Sequence, residues 1–269
     1  ATPTVPVLVA PADGSTATAT DVPLSVTATD PDGDALDVRF EGRAAGATVP
    51  GGGTGDPFTI VVIPDTQNYT YAGRQATISG QTQWIVDTRS QLNTAMVIHL
   101  GDLVSEYDNL TQWGYTSTAM AILDAAKVPN TVLPGNHDFN PDTGEFAQYD
   151  AYFPPSRYLG ATWSPSTAGY GGYLGEDLFG SDAVDRRNLD NFALFSAAGR
   201  DFLVLNLEWE APSYTLDWAA KVLAAYPDRT AILATHSFVG IEGQRSTVAQ
   251  RPGGTPPNQL WSDFVSQQC

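Results

Sequence analysis

Residues 132–140, VLPGNHDFN, place Asn136, His137 and Asp138 in a row directly behind an apolar run that Pro134 and Gly135 bring to a stop. Pro, Gly, Asn and Asp are also the ordinary turn formers, so this stretch by itself says little. Its pattern recurs, however. The run FTIVVIP (58–64) leads into PDTQ, with Asp65 and Gln67. AMVIHL (95–100) leads into GDLV, with Asp102, and TAILAT (230–235) leads into His236. In an open α/β sheet, ligands bind outside the carboxyl ends of the strands. Four strand ends would therefore deliver carboxylates, amides and imidazoles to one rim. Oxygen and nitrogen donors without thiolate suit Mn, Fe, Zn or Ni better than a structural zinc site. Taken singly, the groups have plainer readings. GD is a common dipeptide, Asp65 would serve as a helix cap, and His99, inside MVIHL, reads as a core histidine. Ser237 follows His236, but no G-x-S-x-G elbow accompanies it, which disfavours a Ser-His-Asp hydrolase. What singles the site out is coincidence: two of the three histidines, and a polar cluster at each of four strand ends in chain order.

The elements that must position these groups are legible as periodic runs. Continuous β-branched apolar segments are the mark of strands buried on both faces. VPNTVLP (128–134) and RDFLVLNL (200–207) join the three runs above as strands. Between them, Trp84, Ile85, Thr88 and Leu92 are expected on one helical face. So are Trp113, Met120, Leu123 and the stem of Lys127, and then Leu216, Ala219, Ala220 and Leu223. Strands alternating with helices imply an α/β core. Residues 139–199 read as a long irregular insert rich in Gly, Pro, Tyr and Asp, a kind of segment that is usually functional. Its end, LFSAAGRDFLVL, reads as a hairpin turning at AAGR. Its aromatics Tyr149, Tyr152, Trp163, Tyr170 and Tyr173 either shape a substrate cleft or pack a loop.

The first 45 residues differ. In LSVTA the apolar Leu24, Val26 and Ala28 alternate with polar residues, as do Leu36, Val38 and Phe40 further on. This is a small all-β, Ig-like segment, shorter than a full sandwich. DPDGD admits an EF-hand-like count, with Asp30, Asp32, Asp34 and Glu41 at ligand places. The place that requires Gly holds Ala35 and the exit reads as strand, so a plain acidic turn is expected. Residues 46–57 form a Gly-rich linker.

The net charge is −17, which repels nucleic-acid backbone and anionic lipid. Anionic small molecules stay possible, because bound divalent cations invert the local field. No apolar run is long enough to cross a bilayer, so no membrane insertion is expected. The N-terminus carries no secretory leader, which is either absent or removed. A lone cysteine, Cys269, excludes an internal disulfide.

PDTQ, GDLV, GNHD and THS in this order resemble the calcineurin-like metallophosphoesterases. IPDTQNY, QWIVDTR, HLGDLV and LPGNHDFN look most like a secreted bacterial branch in which a short Ig-like leader precedes the catalytic domain. The likeness covers 58–269. It implies a four-layer αββα sandwich and two divalent transition metals (Mn, Fe, Zn or Ni). Carried over by position, Asp65 and Gln67 would bind the first metal, where most of the superfamily has His in place of Gln67. Asp102 would bridge both metals, and Asn136 and His236 would bind the second. His137 would stand at the leaving-group oxygen as proton donor or transition-state stabiliser, and Asp138 would orient it. The activity implied is hydrolysis of a small phosphomonoester or phosphodiester outside the cytoplasm, with no nucleic-acid polymer as partner. The β leader would be free to meet a cell-surface partner.

The chain's main departure from the family is at its end. The closing Gly-His-x-His, which supplies a ligand to each metal, is missing, and the sequence stops at LWSDFVSQQC. A smaller departure is Ser105, where an acid often stands. A chain that continues beyond Cys269 is one expectation, and a natural short form is the other. Glu208 or a second chain would be the substitute ligand. Weak metal binding and slow turnover are expected of the sequence as it stands. The alternative reading is a non-catalytic extracellular binding or assembly module on a degenerate phosphoesterase scaffold.

Overall fold

The computed structural model describes residues 7–10, 23, 25–33, 57–140 and 142–268. The chain divides into two units, Ala1–Pro50 and Gly51–Cys269. In the first, β1 (Val7–Ala10) pairs antiparallel with β2 (Ser25–Thr27), and the register slips between Leu8 and Ala10. The DPDG segment that follows is a tight turn. The Asp30 side chain accepts from Asp32 N at 2.7 Å, its carbonyl accepts from Gly33 N at 3.2 Å, and Gly33 takes φ +79°. Leu24, Asp34, Leu36, Val38, Phe40, Glu41, Cys269 and the linker apart from Pro57 lie outside the described residues.

The second unit stacks two sheets between helices. β3 (Thr59–Ile63), β4 (Thr94–His99) and β5 (Asn130–Val132) lie side by side and parallel. They are joined through α1 (Gln75–Leu92) and α2 (Leu110–Ala125). All six residues of β4 are buried, as a strand covered on both faces demands. After α3 (Ala147–Tyr152), the second sheet runs β6 (Gly169–Leu174), β7 (Arg187–Ala197), β8 (Arg200–Leu207) and β9 (Thr230–Thr235). β6 to β8 are antiparallel. β9 is parallel to β8 because α4 (Ser213–Ala225) carries the chain back across the sheet.

β8 shows why the layers stack. Phe202 and Val204 point into one core with Met96 and Ile98 of β4, Trp113 and Met120 of α2, and Phe195 of β7. The alternate residues Leu203, Leu205 and Leu207 point into a second core with Trp218 and Val222 of α4 and with Leu260 and Phe264. A period of two with both phases apolar leaves a strand no solvent face. The architecture is a four-layer αββα sandwich.

Several expectations shift. In α1 the buried stripe is Ile78, Thr82 and Ile85, while Trp84 is 53% exposed. Neighbours on a helix point about 100° apart, so one stripe cannot take both Trp84 and Ile85. In α4 the stripe is Thr215, Trp218, Ala219 and Val222, and Ala220 is exposed for the same reason. β5 is shorter than 128–134 because Pro129 and Pro134 cannot donate to a ladder. The stretch 139–199 is not an irregular insert, since it contains α3, β6 and β7. β6, GYGGYL, hides from a period-two reading through register shifts at Tyr170/Gly172 and Tyr173/Leu174. The aromatics of this region mostly pack the core. Tyr149 is 0% exposed and Trp163 7%, Tyr152 stacks on Trp113, and Tyr170 stacks on Tyr158. The hairpin at AAGR is present, with Ala198 and Gly199 both left-handed, as a two-residue turn between twisted strands requires. Among the described residues no helix is long and apolar enough to cross a membrane.

Candidate metal centre

The four strand ends meet at Asp102. Its carboxylate is almost wholly buried, at 1% exposure. Oδ1 accepts the backbone amide of His137 at 3.0 Å, and Oδ2 accepts Gln67 Nε2 at 2.9 Å. His236 Nε2 stands 3.4 Å from the same Oδ2. Residues 35 and more positions away in sequence thus converge on one side chain.

Two glycines make that convergence possible. Gly101 takes φ +89°, and a Cβ there would lie 2.4 Å from the Gly135 nitrogen. A Cβ on Gly135 would lie 2.1 Å from Asp102 Oδ1. The exits of β4 and β5 are therefore in direct backbone contact, and both must be glycine. Asp102 itself is left-handed at φ +51°, a conformation that costs a non-glycine residue about 1–2 kcal/mol. The three groups that hold its carboxylate offset that cost.

The exit of β3 supplies Asp65 and Gln67. Asp65 Oδ1 accepts Gln67 N at 2.9 Å two residues on, but it is not the cap of the short helical turn Gln67–Tyr69, whose N-cap position is Thr66. Asp65 Oδ2 accepts Gln67 Nε2 at 3.0 Å. The Gln67 amide is thus suspended between the carboxylates of Asp65 and Asp102. Asn136 is half-buried, and its amide enters no hydrogen bond among the described residues.

Both rim histidines are held in the same way. His236 Nδ1 donates to the Leu100 carbonyl at 2.8 Å, and His137 Nδ1 donates to the Ser105 carbonyl at 2.8 Å. A backbone carbonyl on one ring nitrogen fixes the tautomer and leaves Nε2 to face a metal or a substrate. Burial pulls the His236 pKa down, but the hydrogen bond and charge of Asp102 outweigh it and raise the value.

Asp138 sits deeper. Its Oδ2 accepts Gly135 N at 2.8 Å and its Oδ1 accepts Val104 N at 3.0 Å, so its carboxyl ties the β5 exit to the β4 exit. The ring of His137 is held by Ser105 rather than by Asp138. Burial and the charge of Asp102 push the Asp138 carboxyl up to about 8, against the pull of the backbone amides it accepts. His99 is a satisfied core residue. Gly101 N donates to its Nδ1 at 3.1 Å, and Nε2 meets Thr66 Oγ1 at 3.0 Å. Burial, aided by His236, lowers its pKa to about 3, so the ring is neutral.

Among the described residues no three His, Cys, Asp or Glu side chains cluster as a metal site on their own. The donor set at this rim depends on the two amides. It nevertheless fits a divalent cation. Two carboxylates converge on one N–H donor, and a half-turn of the Gln67 amide presents Oε1 in its place. Among the described residues the Asn136 amide has no hydrogen-bond partner, and His236 turns Nε2 toward Asp102. Glu208 does not serve as substitute ligand, because its carboxylate is committed to Arg186 and Arg251. That buried ionic group lies at the end of β8 and was missed as part of the site's framework. The only sequence signal for it is a polar Glu208 directly behind an apolar run.

Residues 58–254 match the family model of the calcineurin-like phosphoesterases. The chain is 31% identical over 196 residues to the uncharacterized protein YvnB of Bacillus subtilis (strain 168). That match takes in 73% of this chain but spans only 14% of the relative's length. A looser likeness, at 13% identity and a TM-score of 0.40, is to the crystal structure of TT1561 of Thermus thermophilus, over 73% of this chain and 72% of that one.

Proposed function

The chain belongs to the calcineurin-like phosphoesterase family, and from that premise we propose that it hydrolyses small phosphomonoesters or phosphodiesters at a dinuclear centre. The observation that carries this reading is the convergence of Gln67, His137 and His236 on the buried Asp102 carboxylate. Asp65 and Gln67 would hold one divalent cation and Asn136 and His236 the other, with Asp102 as the carboxylate shared between the two halves. When bound, two such cations would supply Lewis-acid chemistry: neutralising phosphate charge and lowering the pKa of water in the site. The chain's own residues do the rest. The Ser105 carbonyl accepts from Nδ1–H of His137, so Nε2 is the ring atom presented to the leaving-group oxygen, and it donates a proton there from the imidazolium form, in which both nitrogens carry one. Asp138 holds the loops of His137 and Asp102 together. Phosphoryl transfer rests mainly on such positioning and charge neutralisation.

The expected substrate is a small phosphate ester. The acidic surface disfavours nucleic-acid polymers. Secretion or cell-surface display, with the β leader free to meet a partner there, belongs to the same proposal.

The test is metal content together with hydrolysis of a small aryl phosphate ester. His137→Ala is expected to keep its metals and lose turnover by about 10²–10⁴. Asp102→Ala is expected to lose the metals as well. A wild-type protein that takes up no metal and hydrolyses no ester would overturn the enzyme reading. One observation favours that second reading, a non-catalytic module on the same scaffold. The Gln67 amide bridges the carboxylates of Asp65 and Asp102, so each of these two acids has a hydrogen-bond partner within the chain itself.

A further inference from the structure

Glu208 takes no part in the proposed chemistry, yet the two arms that bring Asn136 and His236 to the rim meet on its backbone and that of its neighbour. Trp209 N donates to the carbonyl of Pro134 at 3.2 Å, just ahead of Asn136. Thr235 Oγ1, just ahead of His236, donates to the Glu208 carbonyl at 3.4 Å.

The Glu208 side chain is 0% exposed. Its Oε1 accepts from Arg186 Nε at 3.0 Å, and its Oε2 accepts from Arg186 Nη2 at 2.5 Å and Arg251 Nη1 at 2.8 Å. A buried carboxylate persists only when paired and hydrogen-bonded, and here two guanidinium groups satisfy it. Arg251 reaches further. Its Nη1 also donates to the Trp209 carbonyl at 3.0 Å, and its guanidinium lies 5.2 Å from the ring centroid of Phe139. The Phe139 ring in turn lies 6.1 Å from that of Trp209. The Gly135–Phe139 segment is thereby gripped at both ends, by Trp209 N at one and by Arg251 and Trp209 at the other. Glu210 returns the loop after β9 to the same hub, its carboxylate accepting Gln250 N at 2.8 Å and Arg251 N at 2.9 Å.

We propose that the Glu208–Arg251 pair is a positioning device: it sets the spacing between Asn136 and His236, and with it the affinity of the half of the centre those two residues hold. This inference rests on the dinuclear reading above. The other half approaches Asp102 from β3, through Asp65 and Gln67, whose side-chain hydrogen bonds among the described residues run to each other and to Asp102. That half is linked to the hub through the shared Asp102 and not through Asp65 or Gln67 directly.

The test titrates metal-free protein with Mn²⁺ and counts the free ion by electron paramagnetic resonance, so that hydrolysis plays no part. Arg251→Met keeps an aliphatic stem over Phe139 and leaves Glu208 paired with Arg186. It is expected to weaken one of two Mn²⁺ steps by about 10–100-fold, the range typical of groups that orient metal ligands, and to leave the other unchanged. Arg251→Lys is expected to recover part of the loss. Thr235→Val severs the His236 arm without disturbing a buried charge and is expected to act on the same step. Two steps unchanged in both Arg251→Met and Thr235→Val, or weakened equally, would overturn the positioning role. A wild-type protein that takes up fewer than two Mn²⁺ refutes the dinuclear reading itself, an outcome distinct from a two-ion wild type matched by its variants.

Discussion

Gly135→Ala is the sharpest test of how the rim is assembled. The added Cβ would sit 2.1 Å from Asp102 Oδ1, 2.4 Å from Asp102 N and 2.7 Å from Asp102 Cγ, where ordinary contact begins at 3.4 Å. The carboxylate cannot swing aside freely, because Oδ1 accepts His137 N and Oδ2 faces Gln67 and His236. The backbone nitrogen cannot move without β4. The two strand exits must therefore part by about 1.3 Å. Forced overpacking of this kind costs about 1–3 kcal/mol. For a domain of this size that is a fall in Tm of roughly 2–12 °C. A displacement of about 1 Å at a reacting centre costs about 10²-fold in rate. Thermal unfolding and hydrolysis of a small aryl phosphate ester read the two effects separately. Gly80→Ala is the control. It lies inside α1 with nothing within 4 Å of the new Cβ, and is expected to stabilise by about 0.5–1 kcal/mol. If Gly135→Ala unfolds at the wild-type temperature and turns over at the wild-type rate, the two exits are not in contact and the account of Gly101 and Gly135 is wrong.

Three further outcomes are expected. His99 has a folded pKa near 3 against an ordinary value of 6.5, so below pH 6.5 the unfolded chain takes up a proton that the fold refuses, and stability falls with pH down to about 3. The loss due to His99 between pH 7.5 and 4.5 is about 3 kcal/mol. In His99→Asn, whose Oδ1 can accept Gly101 N, the stability gap to wild type is expected to narrow by that amount over this range in urea titrations, and parallel curves would refute it. Trp113→Ala removes a ring at 0% exposure and is expected to cost about 3–5 kcal/mol, whereas Trp84→Ser, at 53% exposure, is expected to stay within about 0.5 kcal/mol of wild type. Removal of divalent metal with a chelator is expected to abolish ester hydrolysis while leaving the far-ultraviolet circular dichroism unchanged, since Asp102 keeps its internal partners Gln67, His137 and His236.

Much of the framework is local and therefore readable. FTIVVIP, AMVIHL, VPNTVLP, RDFLVLNL and TAILAT are readable as strands because they are continuous apolar runs, and the exits of four of them carry Asp65, Gln67, Asp102, Asn136, His137 and His236. Burial on both faces holds for β4 but not for β3, where Val62 is 49% exposed, nor for β9, whose first two residues are exposed. β6 is not readable that way, since glycines and register shifts break the period. Nor is the rotation of α1 that leaves Trp84 outside, because adjacent apolar residues compete for one stripe and only packing chooses between them.

By itself, the amino-acid sequence determined which residue types stand at the strand exits and in what order, because strand formation and turn chemistry depend on neighbours a few positions apart. Only the tertiary structure decided what those residues do to one another. Gln67 between Asp65 and Asp102, the contact of Gly101 with Gly135, and the left-handed Asp102 all follow from how β3, β4 and β5 register. The two arginines on Glu208 come from 22 and 43 positions away. A charged residue read alone looks solvated. It becomes a buried strut only when distant partners arrive to offset its desolvation, and that is a property of the packed fold.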